Sequence, residues 1–289
     1  MTRALLLGAT GMLGRAIARQ APAGVTLVAP DDPRIDVTRP DEVRAALARE
    51  RPDWVINCAA ATQVDDAERD PPRAIAVNAI APGMLGECCR DANAVLLHFG
   101  SDYVFAGDGQ RPYTEEDATS PVNRYGESKL AGERRLAESG AESLVVRTQW
   151  LFGTPGRSFP RTMWERARAR TPSRVVDDQV GRPSLADDVA AASWRLLQAG
   201  ARGVVHVANA GTATWFELAQ AVYDAAGVPE LVTPCATSDF PTPARRPAYS
   251  VLDTSRMERL LGAPLPSWRD ALTRFLDQLR AGETATAAK

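Results

Sequence analysis

Residues 4–20 read ALLLGATGMLGRAIARQ, and this stretch decides the fold. Ala4 to Leu7 form a short apolar run with the character of a buried strand. Gly8, Ala9, Thr10, Gly11, Met12, Leu13 and Gly14 then lead into an amphipathic segment that ends near Gln20. The order is strand, glycine turn, helix. Glycines at GxxGxxG spacing let the backbone turn tightly, admit a pyrophosphate against bare amides at the helix start, and allow close packing of helix on strand. Gly8, Thr10, Gly11, Met12, Leu13 and Gly14 are therefore candidate dinucleotide contacts. A glycine pattern of this kind is informative only between a strand and a helix, and here it has that setting.

Outward from this unit the alternation continues. Val25 to Ala29 reads as a second strand, followed by PDDPR at 30–34. Asp31 or Asp32 would accept a ribose 2′ hydroxyl and repel a 2′ phosphate, whereas Arg34 would do the reverse. No arginine directly follows the strand, so the choice between NADPH and NADH stays open with a lean to NADH. Asp36 and Val37 begin a turn that either approaches the adenine ring or, through Asp36, caps itself. Asp41 to Glu50 reads as a helix and Trp54 to Asn57 as a third strand. The small residues Cys58, Ala59 and Ala60 follow, leaving room for a cofactor over the strand end. A helical stretch from Pro72 to Asp91 carries Asn78 on an otherwise apolar side, where a buried amide serves to position its neighbours. Ala94 to Phe99 is a fourth strand and Ser143 to Arg147 a fifth.

Strands alternating with helices predict an α/β fold, a Rossmann-type doubly wound parallel sheet with a crevice at the carboxyl ends of its strands. Residues 1–150 are expected to form the dinucleotide-binding domain, and 151–281 mostly a smaller C-terminal substrate-binding domain. Short strands near 174–176 and 204–207 are expected to return to the main sheet. Helices are expected over Trp215 to Ala226 and Trp268 to Arg280, with a disordered tail at 282–289.

The chemistry is expected at YGESK, residues 125–129. Of 34 lysines and arginines only Lys129 and Lys289 are lysines, so the chain keeps one internal ammonium, four residues after Tyr125. Residues four apart share a helix face. A compact ammonium there can touch a ribose hydroxyl and, by its charge, is expected to lower the phenol's pKa toward the range of an acid–base catalyst. Ser101, at the end of the fourth strand, supplies a second hydroxyl that can meet Tyr125 across the crevice. Trp150, at the end of the fifth strand, either stacks on a nucleobase or packs in the core. Arg245 and Arg246 lie in a proline-rich stretch, as a diphosphate clamp or as a solvated pair.

Composition narrows the alternatives. The 289 residues are 45% hydrophobic and 24% charged, with a net charge of −2. No basic excess recommends a nucleic-acid partner, and no apolar run has the length to cross a bilayer. The opening MTRALLLGATG reads as a buried strand rather than a signal peptide, and a cytoplasmic address is expected. Cys58, Cys88, Cys89 and Cys235 form no CxxC pair and are expected as free thiols. His98 and His206 lie inside apolar runs without an acid partner, which argues against histidine catalysis.

With these residues in place, the chain resembles the dTDP-4-dehydrorhamnose reductase family of extended short-chain dehydrogenases/reductases. The matching stretches are GATGMLG at 8–14, PDWVINCAAATQVDDAE at 52–68, NAIAP at 78–82, GSDYVFAG at 100–107 and SPVNRYGESKLAGE at 120–133. RTQWLFG at 147–153, DDQVGRPS at 177–184 and RRPAYSVLDTSRMERLLGAPLPSW at 245–268 extend it over almost the whole chain. The resemblance implies that Ser101, Tyr125 and Lys129 are catalytic and that NADPH or NADH is the reductant. Gly8 to Gly14, Asp36, Val37, Cys58, Ala59, Ala60, Asn78, Tyr125 and Lys129 would line its site.

The resemblance also implies reduction of the C4 ketone of a nucleotide-activated, dTDP-linked 4-keto-6-deoxyhexose. Val64, Asp102, Tyr103, Trp150 and Arg246 would contact this substrate, and a homodimer is compatible with the family. Another sugar-nucleotide ketoreductase or epimerase, or a non-catalytic dinucleotide-binding subunit, are the competing readings. Gly100 stands where the family usually has serine, and Ser101 where it usually has threonine. Ser158, Gln149 and Arg182 also depart from the pattern. Some members bind magnesium at a dimer contact through glutamates, but Arg15 stands where an acid would be wanted, so no metal is expected.

Overall fold

β1 (Thr2–Leu7) sits inside a six-stranded sheet of order β10 (Gly203–His206), β5 (Ser143–Thr148), β4 (Val95–Ser101), β3 (Trp54–Asn57), β1 and β2 (Val25–Val28), in which every pairing is parallel. The computed structural model describes residues 2–29 and 35–287, with side chains described as far as residue 282. Asp31, Asp32 and Arg34, on which the choice of cofactor turned, lie outside them.

In chain order, α1 (Met12–Arg19), β2 (Val25–Val28), α2 (Pro40–Glu50), β3 (Trp54–Asn57) and α3 (Val64–Arg69) follow β1. α4 (Pro71–Ala74) and α5 (Ala81–Asp91) are joined without a break by a π-helical segment, Ile75–Ile80. β4 (Val95–Ser101) ends in a 3-10 turn, Asp102–Val104, and α6 (Arg124–Glu138) leads to β5 (Ser143–Thr148). Strand order reverses beside β1, so the crevice opens where Gly8 and Cys58 leave β1 and β3. Register aligns the strand ends: Leu7 pairs with Asn57, Asn57 with His98, and Ser101 with Thr148.

Alternate side chains explain the layers, because successive residues of a strand point to opposite faces. Ala4, Leu6, Ile56, Leu97, Leu144 and Val146 pack against α1 and, later in the chain, α8 (Ala186–Gln198). The opposite face, with Leu5, Leu7, Val55, Leu96 and Val145, is covered by α2, α5 and Leu136 of α6. Burying a Leu or Ile side chain of this kind contributes roughly 1.5–3 kcal/mol. Cys88 and Cys89 are free and buried on this face, and His98 and His206 are buried in strands, as the apolar runs predict.

Beyond β5, short elements build a second core. β6 (Leu151–Phe152), α7 (Phe159–Arg168), β7 (Ser173–Val176), β8 (Val180–Gly181) and β9 (Ser184–Leu185) precede α8. β10 (Gly203–His206), β11 (Ala213–Thr214), α9 (Trp215–Ala225), β12 (Val232–Cys235), α10 (Ser255–Leu261) and α11 (Trp268–Ala287) complete the chain. α7, α9 and α11 enclose Trp164, Tyr223, Trp268 and Phe275. Two expectations are corrected. Of the two short strands expected to return to the main sheet, only β10 does so, beside β5; β7 pairs with β12 in a separate two-stranded sheet. The reason is packing, since Ser173 Oγ bonds Tyr223 of α9 and ties β7 to the second core. The C-terminal helix also runs to Ala287 instead of stopping at Arg280, so the tail expected from 282 is helical that far. Its Ala and Glu residues are strong helix formers.

Candidate active site

The glycine turn is built around close approaches. Gly8 has φ 72°, and a Cβ on it would lie 2.6 Å from the Ala59 nitrogen; one on Gly14 would lie 2.1 Å from the Gly8 carbonyl oxygen. Only glycine fits both places, and the backbone they leave bare runs into the N-terminus of α1, whose N-cap is Gly11. The floor is fixed from below: Cys58 N–H donates to the Leu7 carbonyl, and Ala59 N–H donates to Asn57 Oδ1 at 3.0 Å. Asn57 in turn contacts His98 Nδ1 at 3.2 Å. This is a cradle that a side chain would fill, and its shape fits a dinucleotide pyrophosphate.

Asn78 stands at the π-helical segment, a geometry that often marks functional sites. Its amide clamps the segment after β3, accepting from Ala61 N–H and donating to Ala61 carbonyl oxygen, both at 2.9 Å. It also donates to Ser128 Oγ at 3.1 Å, linking that segment to α6. Asn78 is thus a positioning residue. Asp36 takes the N–H and hydroxyl of Thr38, which hold its carboxyl below the usual aspartate range, and Val37 is buried among Leu5, Leu7 and Val43. The turn-capping contact expected of Asp36 is present.

Beyond the strand ends lies a cavity of about 720 Å³. Ser101, Asp102, Tyr103 and Tyr125 line it together, and Val64, Trp150 and Arg246 complete the expected set. Ser101 ends β4, and its hydroxyl accepts from Tyr103 N–H and donates to Asp102 Oδ1 at 3.1 Å. Asn123 caps α6 by accepting from Gly126 N–H at 2.8 Å, which starts the helix beside the cavity. Gly126 lets the helix press on the 3-10 turn, since a Cβ there would lie 2.2 Å from the Tyr103 carbonyl oxygen. The Tyr103 and Tyr125 rings meet edge to face at 5.5 Å. Lys129, one turn further along, is buried behind the cavity wall and donates to the Phe99 carbonyl oxygen at 2.5 Å.

The electrostatics differ from the expected arrangement. Burial pushes the Tyr125 phenol up to about 12, a hydrogen bond with Ser101 pulls it down, and the Asp102 charge raises it. Burial brings Lys129 down to about 8, with Glu133 acting in the opposite sense. The expectation that the ammonium depresses the phenol is therefore corrected: burial of the phenol raises it, and Lys129 is not among the groups that shift it. A phenol that remains protonated at neutral pH is a proton donor.

Sequence reasoning missed much of the cavity wall. Phe159, Met163, Gln179, Trp215 and Phe240 also line it, from elements remote in the chain. Thr148 lines it too, and its place at the end of a parallel strand was the available signal; Gln149, which the resemblance placed near the substrate, lines it as well. Gln149 Oε1 accepts from Arg182 N–H at 3.0 Å. Trp150, at φ 45°, stacks on Trp215 with centroids 3.6 Å apart and planes 6° from parallel, so it packs against the second core while one side of it borders the cavity. Arg246 pairs with Asp65 at 3.0 Å, whereas Arg245 is not part of the wall. Among the described residues, no cluster of His, Cys, Asp and Glu could hold a metal ion, and no helix is long and apolar enough to cross a membrane.

Comparison with known proteins places this geometry in a family. The model of the RmlD substrate binding domain matches residues 2–281. The dTDP-4-dehydrorhamnose reductase of Mycolicibacterium smegmatis is 44% identical over 275 residues, 93% of this chain and 84% of that protein. A probable dTDP-4,6-dihydroxy-2-methyloxan-3-one 4-ketoreductase of Streptomyces antibioticus is 43% identical, over 97% of both chains. Among solved structures, the dTDP-4-dehydrorhamnose reductase of Bacillus anthracis in complex with NADP superimposes with a TM-score of 0.92 at 33% identity. That match covers 96% of this chain and 100% of the other. With a parallel sheet, a glycine cradle and a shared cavity for Ser101 and Tyr125, the chain belongs to the dTDP-4-dehydrorhamnose reductase family of NAD(P)H-dependent extended short-chain dehydrogenases/reductases.

Proposed function

We propose that the protein reduces the C4 ketone of a dTDP-linked 4-keto-6-deoxyhexose. The observation that carries this reading is the position of Ser101 and Tyr125 on one wall of a cavity that also presents Trp150 and Arg246. A reduced nicotinamide cofactor held in the glycine cradle would supply the hydride. Tyr125, protonated at neutral pH, donates its phenolic proton to the ketone oxygen as charge develops there. Ser101 would hold the same oxygen through its hydroxyl, and Lys129 would offer its positive charge to the ribose of a bound cofactor. Gly8 to Gly14, with Cys58, Ala59 and Ala60, form the cradle for the dinucleotide. The aromatic wall of Trp150 and Trp215 suits a nucleobase, and Arg246 suits a diphosphate.

The two curated relatives described above carry names of reductases for different sugars, which supports the reaction class and leaves the hexose to experiment. The test is oxidation of NADPH and of NADH, followed by absorbance, with a panel of dTDP-linked 4-ketosugars and product analysis. Stoichiometric cofactor consumption with a new hydroxyl at C4 is expected. Sugar interconversion without cofactor consumption would identify an epimerase instead.

A further inference from the structure

Glu133 lies one helical turn beyond Lys129 on α6, buried, and takes no part in the chemistry above. Arg147, on β5, donates to its carboxylate through Nε at 3.2 and 3.1 Å and through a terminal nitrogen at 2.7 Å. Both side chains are 6% exposed. The guanidinium lies over the Phe105 ring at 5.3 Å, and another of its nitrogens is 3.5 Å from His206 Nε2. Glu133 thus touches the buried Arg147 guanidinium directly and stands one helical turn from the buried Lys129.

A buried ammonium whose hydrogen-bond partner is a neutral carbonyl pays a desolvation cost that favours losing its proton. Glu133 opposes that loss. The other titratable groups on elements packed around α6 do not replace it. His98 on β4 and His206 on β10 are held neutral by burial, and the Cys58 thiol after β3 is pushed up. Tyr125 is protonated, Asp102 is raised to about 7 by burial, and Glu68 on α3 is engaged with the Arg124 backbone. Arg147 adds positive charge, and its contacts hold the Glu133 carboxylate in place.

We propose that Glu133, anchored by Arg147, is a positioning residue whose carboxylate keeps Lys129 in its ammonium form. The consequence for turnover rests on the reductase reading; the charge state of Lys129 is a property of the folded chain and is measured without substrate. The composition makes that measurement clean, because Lys129 and Lys289 are the two lysines of the sequence. Lysine labelled with an NMR-active carbon at the ε position gives two signals, and Lys129→Met assigns them.

In the wild-type protein the Lys129 signal is expected to titrate near pH 8, below the ordinary lysine value of about 10.4. Glu133→Gln should lower this midpoint by about one unit or more. Glu133→Gln combined with Arg147→Gln should bring it back toward the wild-type value, because the uncompensated guanidinium is gone. The alkaline limb of kcat/KM should move with the NMR midpoint, an effect that a purely structural role would not produce. A midpoint unmoved by Glu133→Gln overturns the proposal. Should that variant not fold, a wild-type Lys129 that is already neutral at about pH 6 overturns it as well. An NMR shift in a protein that reduces no ketosugar would sink the reductase reading and leave this one standing.

Discussion

Gly100 and Glu133 meet across the β4–α6 interface so closely that a Cβ on residue 100 would fall 2.3 Å from Glu133 Oε1 and 2.8 Å from Arg147 Cγ. The carboxylate cannot easily step aside, because Arg147 holds both of its oxygens. Any side chain at this place would collide with it. Gly100→Ala should therefore cost roughly 1–3 kcal/mol, the range for overpacking a close-packed site. A urea titration reads this directly, and an unchanged midpoint would mean that the ion pair relocates.

Tyr125→Phe removes the proton donor while preserving the ring that packs on Tyr103. Turnover should fall by roughly 10²- to 10⁴-fold, the usual contribution of a positioned acid. Binding of NADPH, measured by fluorescence, should stay within a few-fold of wild type. Turnover at the wild-type rate would remove Tyr125 from the mechanism.

Asp102 gives the protein a pH dependence of known sign. Burial pushes its carboxyl up to about 7, against hydrogen bonds from Ser250 and Ser101. The unfolded chain loses that proton near the ordinary aspartate value of about 4. Between the two values the folded state holds a proton that the unfolded state has released. The stability from this group is thus complete below about pH 4 and is lost as pH rises through about 7. Asp102→Asn should flatten the urea midpoint across that window. Identical slopes for variant and wild type would show that Asp102 does not titrate there.

Arg246 faces the cavity from its ion pair with Asp65. Losing a charged hydrogen bond costs about 1.5–3 kcal/mol, which is roughly ten- to a hundredfold in affinity. Arg246→Met should raise KM for the dTDP-sugar by that factor while changing kcat much less. An equal fall in kcat with KM unchanged would place the guanidinium at the transition state instead of the diphosphate.

The sheet was legible because its signals are local. Ala4–Leu7, Trp54–Asn57 and Ala94–Phe99 are apolar runs followed by glycine or small residues, and each becomes a strand that ends at the site. The trio of Ser101, Tyr125 and Lys129 followed from positions at one strand end and one helix start. What stayed hidden is set by tertiary contact. Four-residue β7 carries too little pattern to say whether it joins the main sheet or pairs with β12. The direction of the Tyr125 shift depends on burial beside Tyr103 and Asp102, which no spacing reveals. Phe159, Met163 and Phe240 become neighbours only when two cores are assembled around one opening.

The parallel pair of Trp150 and Trp215 carries an optical consequence. Two indoles at 3.6 Å couple their electronic transitions, so their circular dichroism belongs to the pair and not to either ring. Because both rings border the cavity, a guest that slides against them must disturb that shared signal. The fold thus contains its own label-free reporter of occupancy, readable by a spectrometer before any sugar has been turned over.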